Sequence, residues 1–104
     1  MPGEEKPTSA EPRDSRPDQF TMKQNYPNPF NPTTRIEYHL EEPSEVTLEV
    51  FNMQGQLVRT LVDKYQGAGA RTVNFNAAAL SSGIYFYHLK AGNYTEVKKM
   101  TLIK

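Results

Sequence analysis

Two residue types are missing from this chain of 104 residues, cysteine and tryptophan. Without cysteine there can be no disulfide framework and no thiolate nucleophile or metal site. That absence fits the cytosol, and fits equally an exported protein held together by packing alone. Net charge is missing too, because 12 Lys and Arg residues balance 12 Asp and Glu. A nucleic-acid binder needs a basic field to displace counterions, so no nucleic-acid partner is expected. No apolar run approaches the length of a bilayer span, so no transmembrane segment is expected. Met1 is followed by Pro-Gly-Glu-Glu rather than an apolar stretch, so no signal peptide is expected at this start. The length suits a single domain.

Composition changes near residue 20. Residues 1–19 hold only two apolar side chains, Met1 and Ala10, spaced among Pro2, Pro7, Pro12, Pro17 and charges of both signs. Such a segment buries too little apolar surface to offset its ordering entropy, and its prolines favour extended, solvated backbone. Residues 1–24 therefore read as a flexible Pro-rich charged linker, and 25–104 as the domain. All 6 Tyr and 5 Phe lie within residues 20–104, which is enough for one modest core. A domain of that size is expected to be stable by about 4–13 kcal/mol.

The hydrophobic period is two. In Arg35–Leu40, Ile36, Tyr38 and Leu40 alternate with polar residues, and in Glu45–Val50 so do Val46, Leu48 and Val50. These are strands with one wet face. The polar join Glu41-Glu42-Pro43-Ser44 predicts that they form a hairpin. A turn at Asn52–Gly55 leads to Leu57–Val62, whose apolar pairs also suit a short helix; β-branching and flanking Gly favour a strand. Arg71–Asn76 alternates again with Val73 and Phe75 inward. Ala77–Leu80 has the composition of a single helical turn. Ile84–Leu89 is the most strand-prone stretch, and Ala91-Gly92-Asn93 turns it into a last strand, Tyr94 to Ile103. Six strands result, or seven with a short one near Phe20–Asn25. The expected architecture is an all-β, immunoglobulin-like antiparallel sandwich, with a small barrel as the alternative.

Catalytic signals are weak. His39 and His88 sit mid-strand, and Ser81 and Ser82 lack the Gly-x-Ser-x-Gly frame of a nucleophile elbow. The carboxylates show no Asp-x-Asp spacing for calcium. No cofactor motif is present, and the chain is not expected to be an enzyme. Sugar binding is a weaker option: Tyr85 and Tyr87 share one strand face, about 7 Å apart, and could stack on a glycan. Alternatively, one of the sets Tyr85/Tyr87/Leu89 and Ile84/Phe86/His88 is simply the core face. A structural spacer beside a catalytic domain is a third option. A monomer is expected, with pairing of sheet edges left open.

Two segments are unusual for a generic sandwich. Asn25-Tyr26-Pro27-Asn28-Pro29-Phe30-Asn31-Pro32 loses three backbone donors to proline, so it reads as a stiff entry arm that Tyr26 and Phe30 pin to the domain. Lys98-Lys99-Met100-Thr101-Leu102-Ile103-Lys104 is a lysine-flanked strand. Lysines there protect an edge, or are read by a partner.

Asn25–Thr34, followed by Ile36 and Tyr38, resembles the opening motif of type A C-terminal sorting domains of the type IX secretion system. Val50-Phe51-Asn52 with Gly55-Gln56 and Val58 is similar to that family's next hairpin. Leu80–Tyr85 resembles its later glycine-tyrosine motif, and Lys99–Lys104 its closing lysine-ended strand. The resemblance covers about residues 25–104, with the motifs in the family's order. It implies an immunoglobulin-like sandwich at the C-terminus of a protein exported through the periplasm of a Gram-negative bacterium. A translocon in the outer membrane passes the cargo, and a cell-surface sortase cleaves before the domain, upstream of Asn25. The fold overlaps with the immunoglobulin-like domain of flagellar hook-capping proteins. That relative shows a Trp and a Gly-rich turn where this chain reads Phe75-Asn76-Ala77-Ala78-Ala79-Leu80, which favours the sorting branch. The resemblance marks Pro27, Asn28, Pro29, Phe30, Asn31, Pro32, Gly83, Tyr85, Lys98, Lys99 and Lys104 as candidate recognition residues. An N-terminal brace and a structural edge strand are the alternative reading of the same segments.

Overall fold

A computed structural model describes residues 20–104 of the chain. Seven strands run in the order β1 (Thr21–Met22), β2 (Thr33–Leu40), β3 (Ser44–Phe51), β4 (Leu57–Gln66), β5 (Gly69–Asn76), β6 (Gly83–Ala91) and β7 (Tyr94–Leu102). They form two sheets, β1-β2-β5 and β4-β3-β6-β7, with every neighbouring pair antiparallel. Alternation dictates how the sheets face each other. Ile36, Tyr38 and Leu40 on β2, Val46, Leu48 and Val50 on β3, and Tyr87 and Leu89 on β6 are at most 2% exposed. Period-two patterning on both sheets leaves one shared apolar layer between them, which is the sandwich arrangement.

The predicted hairpin between β2 and β3 does not form. β2 pairs with β1 and β5, whereas β3 pairs with β4 and β6. The join at Glu41–Pro43 is instead a crossing from one sheet to the other, closed by Ser44, whose hydroxyl donates to the Glu42 carbonyl at 3.0 Å. In opposite sheets the apolar faces of both strands meet across the core. A short polar join containing proline serves a crossing as well as a hairpin. True hairpins join β3 to β4 and β6 to β7. The latter turns on two residues, Gly92 and Asn93, with Gly92 at φ +61°, where a side chain would be strained.

Leu57–Val62 is a strand, as β-branching favoured, and it continues to Gln66. Its pairing with β3 slips at Leu48/Glu49 and at Val50/Phe51. Ala77–Leu80 is a turn closed by the Leu80 amide on the Ala77 carbonyl at 2.9 Å, and no helix is present among the described residues. The short strand expected near Phe20–Asn25 is β1, with Thr21 opposite His39 and Met22 opposite Tyr38. Residues 20–24, grouped with the linker on composition, are thus joined to the sandwich.

β6 resolves the two aromatic sets. Tyr85, Tyr87 and Leu89 face the core, with Tyr85 7% and Tyr87 0% exposed, while Ile84, Phe86 and His88 lie half-buried on the outer face. Tyr85 and Tyr87 therefore offer no stacking platform to a sugar.

Candidate functional site at the clasped end of the sandwich

Segments far apart in sequence meet at one end of the sandwich. The arm from Lys23 to Pro32 leaves β1, crosses the open side between the sheets, and comes to rest against the end of β7. Its path is set by backbone bonds. The Lys23 amide donates to the Glu37 carbonyl at 2.9 Å, and Tyr26 and Arg35 exchange bonds of 3.0 and 2.9 Å. Further on, the Phe30 amide donates to the Thr101 carbonyl at 2.9 Å, and the Ile103 amide donates to the Phe30 carbonyl at 2.9 Å. Phe30 thus adds to β7 as a short parallel strand opposite Leu102. The prolines suit this course, because the arm lies outside the regular ladders and needs few donors. The peptide bonds before Pro27, Pro29 and Pro32 are cis.

A buried polar knot holds the root of the arm. Asn25 and Thr34 are 2% and 4% exposed and bond to each other at 3.0 Å, and both donate to the Pro27 carbonyl, at 3.1 and 2.8 Å. Beneath them stands Tyr87. Its hydroxyl accepts the Asn25 amide at 2.8 Å and donates to the Lys23 carbonyl at 3.0 Å. Burial pushes its phenol up to about 12, against the opposing pull of the Asn25 bond. A buried polar group that is fully bonded fixes its neighbours in one arrangement, and here the neighbours are the arm. Composition did not single out Asn25, Thr34 or Tyr87 for this task. The usable signal was a tyrosine in a core-facing set, whose hydroxyl needs a partner when buried.

The tip of the arm is anchored by Phe30, 1% exposed and set against Phe75 with ring centroids 6.0 Å apart. Tyr26 pins the arm by its backbone only, since its ring is 71% exposed. The Asn28 side chain accepts the Thr101 amide at 3.0 Å, and the Gln24 side chain donates to the Lys99 carbonyl at 2.6 Å. Pro32 accepts the Ala77 amide at 2.8 Å, which joins the arm to the turn after β5. Pro29 and Asn31 are exposed.

The loop Ala77–Gly83 closes the arrangement. Tyr85 donates its hydroxyl to the Ser81 carbonyl at 2.6 Å. Gly83 sits at φ +155°, opposite Leu102. Lys104 reaches back over this loop. Its ammonium donates to the carbonyls of Ala78 at 2.6 Å and Leu80 at 2.8 Å, and its amide to the Ser82 hydroxyl at 3.0 Å. The three sequence motifs, arm, glycine-tyrosine loop and closing strand, therefore form one hydrogen-bonded unit. Pro27–Pro32, Gly83, Tyr85 and Lys104 belong to it directly. Lys98 and Lys99 lie farther back on β7: Lys98 pairs with Glu96 at 3.3 Å, and Lys99 is exposed and joined to the arm through its carbonyl. Near the start of β7, Tyr94 stacks on Phe20 with centroids 5.4 Å apart and bonds to Glu96, and burial, with that bond, raises its phenol pKa.

Chemically, this end is a surface of backbone edges, small polar groups and ammonium ions. Among the described residues no cluster of His, Asp or Glu is placed to hold a metal. The arrangement is suited to being recognised as a shape.

A family model described as a secretion system C-terminal sorting domain matches residues 24–104. No curated protein matches the chain. Among solved structures, the chain is similar to PorZ, an essential bacterial surface component of the type-IX secretion system of Porphyromonas gingivalis. The identity is 18% and the TM-score 0.50, over 84% of this chain and 12% of PorZ, so the chain spans a small part of that protein's length. At that identity the likeness concerns the fold.

Proposed function

The chain belongs to the secretion system C-terminal sorting domain family, the domains that direct exported proteins through the type IX system of Gram-negative bacteria to the cell surface or beyond, and on that premise we propose that its signal is the clasped end of the sandwich. The observation that carries this reading is the convergence of arm, loop and closing strand on one another, through Phe30, Asn28 and Lys104. Each motif is short and flexible by itself. Joined, they present one rigid outline to the translocon, and preorganisation lowers the entropic cost of recognition. The domain works as a binding signal and catalyses no reaction. A cell-surface sortase separates it from its cargo before Phe20, because residues 21–30 are already bonded into the sandwich and a protease needs extended, free backbone.

Deleting Lys98–Lys104 is a blunt test, since it also removes Met100 and Leu102, at most 1% exposed in the core. A gain-of-function test is cleaner. A fluorescent passenger joined to residues 1–104 is expressed in a host with a type IX system, and in the same host with its translocon disabled. Delivery to the surface only in the first host is expected. Retention in both, or delivery in both, would refute the sorting reading.

A further inference from the structure

The arm is held by its backbone, and that leaves one aromatic ring unused. Tyr26 is placed by the bonds its main chain exchanges with Arg35, while its ring is 71% exposed. Two residues that exchange both bonds across an antiparallel bridge carry their side chains on the same face. Arg35 in turn lies opposite Asn74 in the ladder of β2 and β5. Tyr26, Arg35 and Asn74 therefore form one row across the arm, β2 and β5, about 10 Å from end to end at the usual strand spacing. With Pro27, Thr33 and Thr34 they line an open trench of about 440 Å³, within the size range of small-molecule sites. Its floor is fixed, because Thr34 and the Pro27 carbonyl belong to the buried knot. Its walls are uncommitted: among the described residues the side chains of Tyr26, Thr33 and Asn74 make no hydrogen bond or ring contact. Glu37 meets the Nε of Arg35 at 3.2 Å, which orients the guanidinium and leaves its terminal nitrogens to donate into the trench.

We propose that this trench binds a neutral saccharide. An exposed ring takes the C–H face of a sugar, while a planar amide, a guanidinium and a hydroxyl bond its neighbouring hydroxyl groups. Other ligand classes fit less well. The lining holds no large aliphatic side chain to receive an apolar ligand. At this row the main-chain groups of β2 are taken by Tyr26 on one side and by β5 on the other, so no peptide strand can be added in the trench. Arg35 already faces a carboxylate, so an anion finds no unpaired cation on the lining, whereas hydroxyl groups need only its free N–H donors. The site goes beyond the sorting reading and does not depend on it.

Native gels cast with mannan, xylan or a β-glucan test the binding on the chain of residues 1–104, with polygalacturonate as the acidic control. Retardation by at least one of the three neutral polysaccharides is expected. Against that one, Tyr26→Ala should raise the Kd about ten-fold and Asn74→Ala about three- to ten-fold, the loss of a stacking ring or of a hydrogen bond. Both variants should melt within a few degrees of the parent, because ring and amide are exposed and unbonded. Arg35→Lys keeps the charge but not the planar fork and should also weaken binding. Titrating the matching oligosaccharide into the isotope-labelled chain should shift the backbone amides of Thr33, Arg35 and Asn74. No retardation by any of the three, or retardation by polygalacturonate alone, overturns the proposal. Undiminished affinity in folded Tyr26→Ala and Asn74→Ala overturns it too, by placing the sugar elsewhere. Should those variants fail to fold, amide shifts confined to other parts of the parent chain overturn it instead. A passenger fusion that is not delivered removes the sorting reading and leaves the trench standing, so the two fail separately.

Discussion

Replacing Tyr87 by phenylalanine removes a single oxygen, and the structure says what that oxygen does. It accepts the Asn25 amide and donates to the Lys23 carbonyl, from a side chain that is 0% exposed. Phenylalanine fills nearly the same volume, so the packing loss is small. The buried Asn25 amide is left without a partner, which costs about 1–3 kcal/mol. Lys23 is exposed, so water replaces most of the second bond. The expected destabilisation is about 2–3 kcal/mol, a large share of a stability of about 4–13 kcal/mol. In a domain of this size it lowers the melting temperature by about 8–24 °C. Urea unfolding followed by circular dichroism measures it, and the m-value should stay unchanged because the core surface is the same. The variant should also expose the arm to proteases before the sandwich unfolds. A loss below about 0.5 kcal/mol would refute the claim that Tyr87 holds the arm, because that is the size of an ordinary surface substitution.

Other outcomes follow from the same contacts. The Tyr87 phenol, raised by burial to about 12, keeps its proton longer in the folded chain than in the unfolded one. Stability is therefore full below pH 10 and falls as the pH rises toward 12, by about 3 kcal/mol from this group. Part of that alkaline loss should persist in Tyr87→Phe, since burial also raises Tyr38 and Tyr94. Phe30→Ala should cost about 3–5 kcal/mol, the usual penalty for emptying a buried aromatic site, and thermal melts should show it near the unfolding threshold. Gly83→Ala, at φ +155° with open space around the new methyl, should cost about 1–3 kcal/mol through backbone strain alone. Lys104→Met should cost less than about 1 kcal/mol, because the residue is exposed, yet speed amide exchange across Ala77–Gly83.

The strands were legible because their signal is local. Ile36, Tyr38 and Leu40 alternate within six residues, and a half-buried strand needs no further information. Which sheet each strand joins is a long-range fact. The join at Glu41–Pro43 carries no trace of it, and the predicted hairpin became a crossing. β6 was ambiguous for another reason: both of its alternating sets are apolar or aromatic, so period alone could not say that Tyr85 and Tyr87 face inward. The candidate residues of the arm and closing strand were visible as separate oddities. Their contact was not, because Asn28 and Thr101 lie 73 positions apart, and only pairing geometry brings them to 3.0 Å. Tyr87, which ties the arm to the core, stands out in the sequence only as one of a tyrosine pair on a strand face, with nothing to link it to the arm.

The central claim is that the clasped end, and not the fold alone, is what the secretion system reads. It is tested most directly by loosening the clasp on its exposed side. Asn28→Ala with Lys104→Met removes the side-chain ties to Thr101, Ala78 and Leu80 and leaves the core residues in place. Surface delivery of the passenger fusion is then compared with the parent, after circular dichroism has established that the double variant is folded. The account predicts a folded protein held in the periplasm. Delivery equal to the parent would contradict it.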